Sequence, residues 1–340
     1  MPRAVVFGCA GTRLSPDERA FFADGDPLGF ILFRRNCDSP GQVRDLVAAL
    51  RDSVGRADAP VLIDQEGGRV ARLRPPHWPS HPAARRIGEL AERDADLGRE
   101  AAWLNARLLA DMLLGLGIDV DCAPVCDVPA PDGHDVIGDR AFGADPALVA
   151  DLARASCEGF LAGGVLPVIK HIPGHGRARV DSHEELPLVE APLDALEGVD
   201  FTPFRRLADL PLGMVAHVVY RTIDPTHAAS VSARVIGEVV RGRLGFDGLL
   251  FSDDLSMQAL SGSMGERARA VLNAGCDVVL HCNGAMAEME DVALATPALT
   301  EASAARWRRA RAWLKPVPTI DAAALRSRLD ELLGHPAPMA

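Results

Sequence analysis

The sequence has no run of about 18 apolar residues, so no stretch of it reads as a membrane-spanning helix. It also lacks, at Met-Pro-Arg-Ala-Val-Val-Phe-Gly, a basic segment followed by a signal-length apolar run. Positive charge is scarce: 36 Lys and Arg against 47 Asp and Glu leave a net charge of -11, which gives a nucleic-acid role no support. There is no CxxC pair among the seven cysteines, which lie scattered at Cys9, Cys37, Cys122, Cys126, Cys157, Cys276 and Cys282. An odd, scattered set fits reduced, buried thiols in a cytoplasmic protein and not a disulfide scaffold. No glycine-rich nucleotide fingerprint follows the first apolar run, where Gly8-Cys-Ala-Gly-Thr12 is a poor match. No linker, low-complexity tract or internal repeat divides the chain, so one domain spanning residues 1–340 is expected. The 48% hydrophobic content is ample for its core.

What is present is an alternation. Short apolar runs occur at Ala4–Gly8, Gly29–Phe33, Pro60–Asp64, Ile118–Cys122, Leu166–Lys170, Gly213–Val218, Gly248–Asp253 and Asp277–His281. Helical patterns lie between most of them. Ser15–Ala23 and Ser39–Val54 open with Ser-Pro, a cap followed by proline in the first turn. Leu97–Leu116 stops at Gly117, and Asp145–Ala162 at Gly163-Gly164. Leu193–Ala208, Ser232–Leu244, Ser263–Ala274, Ala302–Leu314 and Asp321–Leu333 follow. Eight buried-type strands alternating with helices predict parallel pairing through right-handed crossovers. Eight is the number that closes a (β/α)8 TIM-type barrel. The expected fold is α/β: a barrel over about residues 1–290, with a C-terminal helical extension over about 300–335. An open doubly wound sheet is the second choice.

Such a barrel gathers the C-terminal ends of its strands on one face. The third, fifth, sixth and seventh strands end in or near Asp64, Lys170-His171, His217 and Asp253, so these distant residues are expected to meet in one pocket. His217 is the weakest of them and reads better as a core histidine. The richest stretch is Val168–His183. Its strand runs into Lys170 and His171, then breaks at Pro173, Gly174 and Gly176 into a loop carrying His175, Asp181 and His183. A lysine at a strand end is seldom mere packing, because burying its charge is costly. Asp181 lies two residues from His183, and in an extended loop both side chains point the same way. The carboxylate can then orient the ring, and a histidine can give a proton near neutral pH and take it back. Asp253 ends its strand and suits a nucleophile or base, whereas Asp254 would cap the next helix. Asp64, before a glycine turn, can accept two hydrogen bonds from neighbouring hydroxyls, and Arg72 and Arg140 are available as oxygen clamps. The spacing of His171, His175, Asp181 and His183 matches no HExxH or CxxC signature, so no metal and no cofactor is expected.

Several of these stretches carry a resemblance. Lys170-His-Ile-Pro-Gly-His-Gly176, Asp181-Ser-His183, Ser252-Asp-Asp-Leu-Ser-Met257, Asp64-Gln-Glu-Gly-Gly-Arg69, Phe33-Arg-Arg-Asn36 and Ile137-Gly-Asp-Arg140 together resemble the bacterial β-N-acetylhexosaminidases of glycoside hydrolase family three. The likeness runs from about residue 25 to 285. It implies a single barrel that removes non-reducing β-N-acetylglucosamine from peptidoglycan fragments (N-acetylglucosaminyl-anhydromuramyl peptides) during wall recycling in the cytoplasm. It implies Asp253 as nucleophile, His183 as general acid/base backed by Asp181, and Asp64, Arg72, Arg140, Lys170 and His171 as sugar-binding residues. The expected partner is a small sugar substrate, with no nucleic acid and no membrane, and the chain is expected to be a monomer. The sequence departs from relatives at Arg177-Ala-Arg179 and over Pro129–Asp135. A β-glucosidase-like exo-glycosidase or an N-acetylglucosaminide phosphorylase on the same barrel remain as alternatives.

Overall fold

The computed structural model describes residues 1–131, 133–180 and 185–334. The strands are β1 Arg3–Phe7, β2 Pro27–Leu32, β3 Val61–Ile63, β4 Val120–Asp121, β5 Leu166–Pro167, β6 Ile169–Ile172, β7 Leu188–Val189, β8 Leu212–Val215, β9 Val219–Tyr220, β10 Leu249–Asp254 and β11 Val278–His281. Nine of them form one sheet in the order β5-β4-β3-β2-β1-β11-β10-β8-β6. Every pairing in it is parallel. The two outermost strands, β5 and β6, are separated in the chain by Val168 alone. Val168 donates its N–H to Asp121 and Ala123, and Cys126 N–H donates to Lys170, so the sheet returns on itself. Counting β5 and β6 as one interrupted strand gives the eight expected from the sequence.

Alternation along the strands sorts the core into two layers. Ala4, Val6, Leu249, Phe251, Val278 and Leu280 point into the barrel with Leu62, Val120 and Leu166. Val5, Phe7, Leu250 and Val279 point out against the helices. The interior layer continues into Leu299, Ala304 and Ala310, so the helix Glu301–Arg311 closes the barrel at the N-terminal ends of the strands. The last helix, Ala322–Leu332, packs on the long helix Ala95–Leu114, where Arg328 grips Glu100 through two hydrogen bonds.

The cap signals place helix starts well. Ser15 and Glu18 form a reciprocal capping box, and Ser39 and Asp145 cap the helices Pro40–Ser53 and Pro146–Ala162. Other expectations need correction. The predicted helix Leu193–Ala208 is interrupted by a π-turn, Leu196–Asp200, before Phe201–Arg206. Helices Ala84–Ala91 and Met286–Ala295 and the two-stranded ribbon β7-β9 have no counterpart among the expected elements. Asp254 does not cap a helix. It is the last residue of β10, and Ser263 caps the helix that follows. No helix is long and apolar enough to cross a membrane among the described residues. All seven cysteines are free and buried.

Candidate active site

The C-terminal ends of the strands open on a cleft of about 340 Å³. Its lining includes Asp64, Glu66, Arg72, Arg140, Lys170, His171, His175 and Asp253, drawn from segments far apart in sequence. The strand ends therefore meet as the barrel requires. Asp64 and Asp253 share this one hollow.

Lys170 is the hub. Its Nζ donates to Asp64 Oδ1 at 2.9 Å and reaches Glu66 Oε1 at 2.7 Å, and the residue is only 2% exposed. A buried ammonium is tolerable only with such partners. Arg72 Nη2 donates to the other Asp64 oxygen at 3.0 Å, and its guanidinium lies over the Phe33 ring at 5.0 Å. Arg140 holds Glu66 in a two-pronged grip, Nε to Oε2 at 2.9 Å and Nη2 to Oε1 at 2.8 Å. Burial alone would raise both carboxyls. For Asp64, Lys170 and then Arg72 outweigh it and hold the group well below the usual carboxylate range. Lys170 and Arg140 do the same for Glu66, which falls to about 2. The two acids raise Lys170 in return, against the burial that would lower it.

The turn that presents Asp64 and Glu66 is built by glycine. Gly67 and Gly68 have φ of 98° and 55°, and a Cβ on Gly67 would lie 2.3 Å from the Pro82 carbonyl oxygen. Beneath the turn lies Asp121, fully buried, whose Oδ1 accepts Gln65 N–H at 3.0 Å. Burial pushes its carboxyl up to about 8.

His171 is oriented from below. Its Nδ1 lies 2.7 Å from Asp127 Oδ2, and its backbone N–H donates to Oδ1 at 3.2 Å. The same oxygen accepts His175 N–H at 2.6 Å. The carboxylate fixes Nδ1 as the protonated nitrogen of His171 and leaves Nε2 for a ligand. His171 helps to hold Asp127 below the usual range despite its burial. His175 is lowered to about 4, by burial first and His171 second. Asp253 lies at the rim in β10, partly exposed, and its Oδ1 accepts Asp254 N–H at 2.8 Å. Asp254 turns its own carboxylate to Ser256 and Cys282, so it is a structural acid.

Asp64, Arg72, Arg140, Lys170, His171 and Asp253 thus line one cleft. His217 does not join them. It is fully buried, Nδ1 against Ser230 Oγ at 2.6 Å and Nε2 against the Asp254 carbonyl at 3.0 Å, the core histidine its position suggested. Asp181 and His183 lie outside the described residues. Sequence reasoning missed Glu66, Asp121 and Asp127 as individual contributors. Glu66 stood in a motif already noted, whereas Asp121 lies inside the fourth apolar run and Asp127 beyond it, with no local sign of what they support.

Comparison with known proteins now adds to this geometry. Residues 7–308 match the family described as the glycosyl hydrolase family 3 N terminal domain. The chain is 44% identical over 283 residues to a beta-hexosaminidase of Alkalilimnicola ehrlichii, covering 82% of this chain and 80% of that one. A beta-hexosaminidase of Nitrosomonas eutropha is 40% identical over the same shares. Among solved structures, native NagZ from Neisseria gonorrhoeae superimposes with a TM-score of 0.87 at 33% identity, over 98% of both chains. The same protein in complex with N-trifluoroacetyl-D-glucosamine gives 0.86 at 32% identity, again over 98% of both.

Proposed function

The chain belongs to glycosyl hydrolase family 3, and from that premise we propose that it is a retaining exo-β-N-acetylhexosaminidase acting on peptidoglycan fragments. It is a glycoside hydrolase that removes terminal, non-reducing β-N-acetylglucosamine; the aglycone is an anhydromuramyl peptide. The observation that carries this reading is the shared cleft, in which one rim carboxylate, Asp253, stands across from a charged cradle made by Asp64, Arg72, Arg140 and Lys170. Asp64, although bonded to Lys170 and Arg72, retains lone pairs for sugar hydroxyls. His171 offers Nε2 to a substrate oxygen.

In the proposed chemistry, Asp253 attacks the anomeric carbon while His183, held by Asp181, protonates the departing oxygen. The bond to the aglycone breaks and an aspartyl glycosyl ester forms. His183 then takes a proton from water, which attacks the ester carbon, and two inversions retain the configuration. Most retaining glycosidases use two carboxylates; here an imidazole takes the place of one. The enzyme works as a single domain, as a monomer and in the cytoplasm, a reading supported by its acidic sequence and its free, buried thiols.

The test is turnover of an aryl N-acetyl-β-glucosaminide, with the aryl β-glucoside as the comparison. Asp253→Ala and His183→Ala should each lower kcat by several orders of magnitude. Near-normal turnover by either removes that residue from the mechanism. Equal activity on the plain glucoside, or release of a sugar 1-phosphate when phosphate is supplied, would replace this substrate or this acceptor.

A further inference from the structure

Arg72 reaches the cleft from an irregular stretch, since no helix or strand lies between β3 and the helix Ala84–Ala91. Its side chain has few ties of its own. Nη2 donates to Asp64 Oδ2 at 3.0 Å and the guanidinium lies over Phe33, but Nε is buried with no hydrogen-bond partner among the described residues. Where the guanidinium stands therefore depends on where the main chain of Arg72 is held.

That main chain is held by the side chain of Gln65. Its Oε1 accepts Arg72 N–H at 2.8 Å and Leu73 N–H at 3.0 Å, and its Nε2 donates to the Leu73 carbonyl at 3.0 Å. One amide thus satisfies three backbone groups of the returning chain, as a neighbouring strand would. The task needs an acceptor and a donor on one carbon: an ionised glutamate has no donor, a methionine has neither, and an asparagine is a methylene shorter. Gln65 and Leu73 are each only 1% exposed, so water does not compete for these bonds. The anchor is itself fixed. Gln65 N–H donates to Asp121 Oδ1 at 3.0 Å, and the intervening turn is closed by Glu66 N–H and Gly67 N–H on the Val70 carbonyl, at 3.0 and 3.2 Å. The path is a ring: β4 to Gln65, Gln65 to Arg72, and Arg72 to Asp64, the residue before Gln65.

We propose that Gln65 is a positioning residue for the sugar cradle, whose side-chain amide sets the root of Arg72 and so the place where the guanidinium meets substrate. The proposal rests on the assignment of Arg72 to sugar binding. Gln65 is not part of the cleft lining and acts through Arg72.

The experiment is a double-mutant cycle read in binding. Gln65→Met keeps the bulk and removes the three bonds; Gln65→Asn keeps the amide but draws it back by one methylene. These variants, Arg72→Ala and Gln65→Met/Arg72→Ala are assayed on an aryl N-acetyl-β-glucosaminide, with inhibition by free N-acetylglucosamine as a second measure of binding. KM and the inhibition constant report on folded molecules alone, so a lower yield of folded protein does not disguise them. Gln65→Met should raise KM roughly 5- to 20-fold, with the inhibition constant rising in step and kcat per folded molecule within about twofold. Gln65→Asn should move both constants in the same direction, and it takes the place of Gln65→Met in both backgrounds if the methionine variant does not fold. In the Arg72→Ala background the Gln65 substitution should add less than about twofold, because the group it positions is gone. A parent-like KM in a folded Gln65 variant, a loss carried by kcat instead, or the same factor in both backgrounds overturns the proposal and leaves Arg72 in the cradle. If Arg72→Ala itself changes neither KM nor inhibition, the sugar-binding assignment falls and takes this proposal with it.

Discussion

The two ends of the barrel are made of the same ingredients and put them to different uses. At the N-terminal end, Asp119 accepts Val61 N–H at 2.9 Å and meets Arg311 at 3.0 Å and Arg51 at 3.4 Å. Asp277 accepts Leu250 N–H at 2.9 Å and is closed over by Arg241, Ser303 and Arg306 at 2.7 to 3.0 Å. Each acid ties a strand to the helix Glu301–Arg311 that covers this end. At the opposite rim, Asp64 and Glu66 are tied to Lys170, Arg72 and Arg140 with equally short bonds, but the group faces an open cleft. A buried ion pair by itself is weak evidence of either stability or function. What separates the ends is whether a helix covers the charges, which follows from the chain direction of the parallel strands.

The widest gap between the ends is expected from Asp253→Asn set against Asp277→Asn. The rim variant should lose roughly a thousandfold or more in kcat with a melting temperature near that of the parent. The base variant should keep its KM and its kcat per folded molecule. Asp277→Ala, which removes the carboxylate shared by Arg241 and Arg306, should lower unfolding stability by about 3 kcal/mol in a denaturant titration. A base variant that alters KM at full folding would erase the distinction drawn here.

A smaller effect is expected from Arg72→Lys. The charge stays, but the fork to Asp64 and the stacking on Phe33 go. KM should rise roughly tenfold with kcat within about twofold. A loss confined to stability would move Arg72 from the ligand cradle to the scaffold.

The smallest effect is a pH dependence at the rim. Glu66 falls from an ordinary value of 4.5 to about 2, so its ionised form is favoured by folding. Its contribution is present above about pH 4.5 and is lost as pH falls toward 2. Glu66→Gln should therefore be less stable than the parent at pH 6, and the difference should shrink steadily on acidification. A difference that stays constant down to pH 2 would mean that the carboxylate charge adds nothing to the fold.

Much of this was legible before any coordinates. The eight apolar runs map onto the barrel strands, and Ser15, Ser39 and Asp145 mark helix starts because a cap is a local device. Asp64, Lys170 and Asp253 stand out because a charged residue ending an apolar run has no packing explanation. The broken helix at Leu196–Asp200 was not legible, since its period is nearly helical and the break serves to present Asp200 to Arg177. Helix Ala84–Ala91 was missed because no side chain caps its start.

The linear order of residues determined the alternation of strand and helix, the number that closes a barrel, and which chemical groups end each strand. It could do so because hydrophobic period and capping act over a few residues. Tertiary structure alone decided that Lys170 would lie between Asp64 and Glu66, 106 positions from the former, and that Asp127 would hold His171 from beneath. Those contacts come from closing the sheet, and side chains brought together by closure leave no periodic mark on the segments that carry them.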